Sequence, residues 1–209
     1  MERPVRLAVL LSGSGTTLQN LLDRINAGRL AAHIAVVIAS RSDAGGLERA
    51  RRARIPAVTI ARKSFADVNL FNDALHRELQ RHEFDLIVLA GFLSPFQLRN
   101  QYTGRVMNLH PALIPAFSGR GFYGEKVHQA VIESGVKVTG CTVHFADEQY
   151  DHGPIILQGT VPVLDDDTAQ TLAARVHSLE NELYPEAIRL WAEGRLEVCG
   201  RRVKIRRHG

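Results

Sequence analysis

Val5-Arg6-Leu7-Ala8-Val9-Leu10-Leu11, followed at once by Ser12-Gly13-Ser14-Gly15-Thr16-Thr17, decides how this chain folds. The apolar run lacks the alternation of a half-exposed strand and reads as a strand covered on both faces. Leu18, Leu21, Leu22 and Ile25 then recur at helical spacing until Gly28. Outward from this strand–turn–helix unit the pattern repeats. His33–Ala39 is a second strand, and Asp43-Ala44-Gly45-Gly46 opens a helix that ends before Ile55-Pro56. Ala57–Ile60 is a short strand, Phe65–Arg81 a helix, Asp85–Ala90 a buried strand, and Arg105–Leu109 a strand running into His110-Pro111. Beyond it come a helix at Glu125–Glu133, strands at Val138–Phe145 and Pro154–Val163, a long helix at Thr168–Glu193, and a terminal hairpin built on Leu196–Val198 and Val203–Ile205. Strands alternating with helices predict an α/β fold, Rossmann-like and doubly wound, with a mostly parallel sheet and helices on both faces. No repeat or linker divides the chain, so a single domain over residues 1–209 is expected.

Composition narrows the function classes. The chain has 209 residues, two cysteines and a net charge of +4. Cys141 and Cys199 stand far apart and form neither a disulfide framework nor a zinc motif, which fits a cytoplasmic, reducing location. No stretch approaches the roughly 18 apolar residues of a spanning helix, so no membrane partner is expected. The positive charge is concentrated at Arg49, Arg51, Arg52 and Arg54, and at Arg201, Arg202, Lys204, Arg206 and Arg207. These read as a solvated basic surface that attracts anionic substrates. Nucleic-acid contact is the competing reading, but no aromatic interleaving or recognised module accompanies the charge, and no nucleic-acid partner is expected.

Three segments could carry chemistry. The Gly-rich turn after the first strand could present backbone N–H groups and a helix N-terminus to one phosphate. It lacks the third glycine of a dinucleotide fingerprint and the Gly-Lys-Ser/Thr of a P-loop, and an ordinary turn with Ser/Thr capping explains it equally well. In Met107-Asn108-Leu109-His110-Pro111, positions two apart share a face, so Asn108 and His110 project together at a strand end. An amide donor beside an imidazole suits oxyanion stabilisation with proton management; a structural histidine is the alternative. Val143-His144-Phe145 leads into Ala146-Asp147-Glu148-Gln149-Tyr150-Asp151-His152-Gly153-Pro154, where one carboxylate could orient His110 or the loop could simply be solvated. Metal-ligand spacing is absent, so no metal is expected.

Taken together, Gly13-Ser14-Gly15-Thr16-Thr17-Leu18-Gln19-Asn20, Asn108-Leu109-His110-Pro111-Ala112-Leu113-Ile114-Pro115, Thr142-Val143-His144-Phe145 and Asp151-His152-Gly153-Pro154-Ile155-Ile156 resemble the phosphoribosylglycinamide formyltransferase family of folate-dependent enzymes. The similarity runs from about Leu7 to Leu196. It implies formyl transfer from the co-substrate 10-formyltetrahydrofolate to the amine of glycinamide ribonucleotide, a step of purine synthesis. It implies Asn108, His110 and Asp151 as the catalytic trio, with Asn108 and a protonated His110 donating to the oxyanion, and His144 in support. Gly13, Gly15, Thr16 and Thr17 would hold the phosphate and Glu180 the ribose. Phe92, Leu93 and Ser94, with Asn108, Ala146, Asp147 and Asp151, would border the folate. The halves would then be a phosphate-binding part over about 1–100, a folate and catalytic part over about 101–195, and a basic hairpin or tail over 196–209, in a monomer or homodimer. Two departures stand out: Thr17 occupies a position that is usually Asn, and Leu93-Ser94-Pro95-Phe96 replaces a basic segment that meets the folate tail in many members. Methionyl-tRNA formyltransferase carries an additional C-terminal domain. Formyltetrahydrofolate deformylase, usually with an extra N-terminal regulatory domain and without this phosphate loop, is likewise a weaker match; it or another folate-dependent formyltransferase is the alternative, and a non-catalytic nucleotide-binding regulator is the non-enzymatic one.

Overall fold

A computed structural model describes residues 3–207. Of the basic C-terminal segment, residues 208 and 209 lie outside it. The described residues form two compact units, the first running to Met107 and the second starting at Asn108.

The first unit contains β1 (Val5–Leu11), α1 (Thr16–Asn26), β2 (Ala32–Ala39), α2 (Gly45–Arg52), β3 (Ala57–Thr59), α3 (Val68–Leu79) and β4 (Leu86–Leu89). Its strand order is β3-β2-β1-β4, with β1 parallel to both β2 and β4 and β2 parallel to β3. The apolar run behaves as its composition requires: Leu7, Ala8, Val9, Leu10 and Leu11 have no exposed surface. The chain moves outward from β1 to β2 and β3, then returns to the other side of β1 as β4. That reversal makes the C-terminal end of β1 a switch point, where open α/β sheets bind ligands, and the Gly-rich loop leaves from there. Helix α3 starts later than Phe65 because Asp67 caps it, its side chain accepting from Leu70 N at 2.9 Å.

β5 (Val106–His110) carries the chain into the second unit, which holds α4 (Glu125–Glu133), β6 (Val138–Phe145), β7 (Ile155–Pro162), α5 (Ala169–Ala192), β8 (Leu196–Cys199) and β9 (Arg202–Ile205). The order here is β5-β6-β7-β9-β8. β6 and β7 are antiparallel, β9 runs parallel to β7 at Ile155↔Arg202, and β8 and β9 form the expected hairpin. Val131 of α4, Cys141 of β6, and Leu172 and Val176 of α5 pack into one buried cluster. Burial raises the Cys141 thiol to about 12. Among the described residues nine strands, mixed and mostly parallel, thus form the α/β fold that the sequence predicts.

Candidate active site

Asn108 and His110 leave the C-terminal end of β5 on one face, as their spacing requires. Asp151 meets them from the loop between β6 and β7. Its Oδ1 accepts from Asn108 Nδ2 at 3.2 Å, and its Oδ2 lies 3.4 Å from His110 Nδ1. His144 completes the cluster, with Nε2 at 3.1 Å from Asn108 Nδ2 and 3.7 Å from Asp151 Oδ1. A register shift between Val143 and His144 re-aims the strand at that residue. The structure therefore gathers Asn108, His110, His144 and Asp151 into one network, with His110 and His144 almost wholly buried.

Backbone groups determine how the network can act. A carbonyl oxygen only accepts, so His110 Nε2 donates to Phe117 O at 2.8 Å and His144 Nδ1 donates to Phe145 O at 2.8 Å. His144 Nε2 is then the lone-pair position that receives one Asn108 hydrogen, while the other goes to Asp151. Both amide hydrogens are engaged, His110 Nε2–H is tied to Phe117, and Nδ1 is the imidazole atom facing the carboxylate. Gly119 N also donates to Asp151 Oδ2 at 2.9 Å. Burial opposes the charge on Asp151, but His144 and His110 in their protonated forms, with the Gly119 N–H, outweigh it, and this carboxyl lies below the ordinary carboxylate range. Asp151 has φ 53°, left-handed backbone that aspartate adopts more readily than most residues. Phe117 and Gly119 were not legible beforehand, because a backbone carbonyl or amide leaves no mark on residue type.

In the first unit, Gly15 at φ 76° starts α1 with no side-chain cap, so the Ser/Thr-capped turn is not what forms. Gly13, Ser14 and Thr16 are exposed and Thr17 is half-buried. The requirement for glycine at 15 is structural: an added Cβ would lie 2.5 Å from Gly46 Cα. Gly13 has nothing within 4 Å of such an atom. Arg49, expected on the solvated surface, instead donates to Ser14 O at 2.9 Å and Gln19 Oε1 at 3.0 Å.

The other candidates are distributed. Phe92 stacks on Phe71, with centroids 6.4 Å apart, and Leu93 is exposed while its N donates to Ser12 Oγ at 2.8 Å. Ser94 is half-buried. Ala146 is half-buried beside Asp147, whose carboxylate is used inside its own loop, accepting from Gln149 N and His152 Nδ1 at 2.8 and 2.7 Å. Glu180 Oε2 pairs with His177 Nδ1 at 3.0 Å, and that bond raises the His177 pKa against the opposing effect of burial. Among the described residues no group of three or more His, Cys, Asp or Glu side chains is placed to hold a metal ion, and no helix is long and apolar enough to cross a membrane.

The fold is of the α/β class, with the Asn–His–Asp network at the C-terminal end of β5. The family described as formyl transferase matches residues 5–188. The phosphoribosylglycinamide formyltransferase of Haemophilus influenzae is 39% identical over 92% of this chain and 90% of its own length. The chloroplastic one of Vigna unguiculata is also 39% identical, over 93% of this chain, which spans 63% of that longer protein. A crystal structure of glycinamide ribonucleotide transformylase 1 from Symbiobacterium toebii superposes with a TM-score of 0.91 at 45% identity, covering 98% of this chain and 95% of that one. The chain belongs to the formyl transferase family, and within it to the phosphoribosylglycinamide formyltransferases.

Proposed function

We propose that the chain transfers a formyl group from 10-formyltetrahydrofolate to the amine of 5′-phosphoribosylglycinamide, releasing tetrahydrofolate and the formylated ribonucleotide, as a cytoplasmic step of purine synthesis. The observation that carries the residue assignment is the closed network of Asn108, His110, His144 and Asp151. The amine attacks the formyl carbon, a C–N bond forms, and the carbonyl oxygen becomes an oxyanion. Asn108 meets that charge by trading its 3.2 Å bond to Asp151 for one to the oxyanion, while His144 keeps its orientation. As the bond from the formyl carbon to the folate nitrogen breaks, the amine must lose a proton and the folate nitrogen must gain one. His110 Nδ1, with its other nitrogen fixed by Phe117, is the site for that proton in transit, and ionised Asp151 stabilises it there. The Gly13–Thr17 loop at the N-terminus of α1, exposed at Gly13, Ser14 and Thr16, suits one phosphate, and Glu180 suits the ribose hydroxyls. Leu93 and the loop from Ala146 to Asp151 border the folate.

A formyl-transfer assay pairing 10-formyltetrahydrofolate with glycinamide ribonucleotide, run beside a reaction with water as the sole acceptor, tests this reading. Ribonucleotide-dependent release of tetrahydrofolate is expected. Release at the same rate without the ribonucleotide would replace it with a deformylase.

A further inference from the structure

Arg201 belongs to the basic C-terminal segment, yet its fork closes on a single residue of the β6–β7 loop. Nη1 lies 2.6 Å from His152 Nε2, and Nη2 donates to His152 O at 2.9 Å. The other side of the same imidazole is held by Asp147, with His152 Nδ1 to Oδ2 at 2.7 Å. Arg201 Nη1 is also 3.3 Å from His152 Nδ1, so it lies against the side of the ring and the bond to His152 O is the directed one; Asp147, whose carboxylate only accepts, takes the hydrogen of Nδ1. The anchor itself is placed by the sheet. Arg201 follows Gly200, at φ 61° in the β8–β9 turn, and its other neighbour Arg202 pairs with Ile155. On the far side of His152, Gly153 is pressed so closely on Phe145 that an added Cβ would lie 1.8 Å from that carbonyl oxygen.

His152 directly follows Asp151, whose left-handed backbone has no glycine to ease it. We infer that Arg201 is a positioning residue for Asp151: through His152 and Asp147, the terminal hairpin holds the loop in the one arrangement that puts the carboxylate between Asn108 and His110. This rests on the assignment of Asp151 to the catalytic network. Arg201 and His152 are both substantially exposed, and exposed polar pairs add little to stability. What the contact contributes is geometry, and displacements of about 1 Å in a reacting site can cost rates on the order of 100-fold.

Kinetics and thermal unfolding of Arg201→Met, His152→Ala, the double variant, His152→Gln and Asp151→Asn test this. Arg201→Met should lower kcat by about tenfold, leave KM for both substrates within about twofold, and leave the unfolding midpoint unchanged. His152→Ala keeps the carbonyl that accepts from Arg201 Nη2 but loses the ring contacts, so it too should lower kcat, and the double variant should fall by less than the two losses added, because the changes share one connection. His152→Gln should recover part of the rate that His152→Ala loses, its NH2 donating to Asp147 while its backbone carbonyl still accepts from Arg201. Wild-type kcat in Arg201→Met, additive losses in the double variant, or a loss that tracks a lowered midpoint would each overturn the inference. If Asp151→Asn itself keeps wild-type kcat, the catalytic assignment fails first; if Asp151→Asn is slow and Arg201→Met is not, only the role of Arg201 falls.

Discussion

Gly13 and Gly15 sit in the same loop and answer to different constraints. Gly15 combines φ 76° with a virtual Cβ 2.5 Å from the Gly46 backbone. Gly15→Ala is therefore expected to cost about 1–3 kcal/mol of stability and to weaken every ligand through the fold, which urea unfolding will show. Gly13 has open space around it, so Gly13→Val should keep the wild-type midpoint. If the phosphate lies against this backbone, the same variant should raise KM for the ribonucleotide about tenfold, the cost of about one charge-assisted hydrogen bond, with folate KM unchanged. An unchanged ribonucleotide KM would move the phosphate elsewhere. At the other site, Asn108→Ala should lower kcat by about 10²–10³ with little change in either KM, because its donor matters to the charge that develops in the transition state. A loss carried by KM would make Asn108 a ground-state binder.

Among the elements, α5 shows how local chemistry delimits a long helix. Thr168 caps it, accepting from Thr171 N at 3.2 Å, while Thr168 N donates to Thr171 Oγ1 at 2.9 Å. Asp167, just before the cap, receives Arg175 through two bonds of 2.6 and 2.9 Å, and this pairing with Arg175 holds its carboxyl well below the ordinary range despite burial. Thr168→Ala should lower the unfolding free energy by about 1 kcal/mol and leave kcat as it is, since the helix start carries no residue of the catalytic network. Loss of catalysis without loss of stability would show that the start of α5 acts on the site. The same capping chemistry starts α3 at Val68 rather than near Phe65.

For the whole molecule, several carboxylates are held below their ordinary pKa, and this sets its acid behaviour. The Arg6 guanidinium, outweighing partial burial, brings Asp85 down to about 2; Arg6 also binds Glu83, and Arg3 lies 3.0 Å from Asp85. A depressed carboxylate contributes stability that is fully present above its unfolded pKa near 4 and is lost as pH falls through the folded value. Asp85 therefore contributes about 2 kcal/mol at neutral pH, and Asp85→Asn should be less stable than wild type at pH 7, with the difference shrinking through pH 4 and closing only below about 2. A difference that persists in acid would mean that the carboxylate charge is not its source. Much of the fold was legible without coordinates. Apolar runs and helical spacing report on the local chain, so β1, α4 and β6 begin and end where the pattern says. The period of two also put Asn108 and His110 on one face. What residue order could not yield were contacts whose partners are distant or carry no side-chain mark. The Phe117 carbonyl that occupies His110, the Gly119 amide on Asp151, the Gly46 backbone against Gly15 and the fork of Arg201 on His152 are of this kind. The sequence by itself determined which elements form and which residue types can manage a proton and a negative charge, because both follow from periodicity and functional groups. Only the tertiary structure decided which hydrogens are already engaged and which atom of His110 faces the carboxylate, because hydrogen-bond partners are chosen by packing in space.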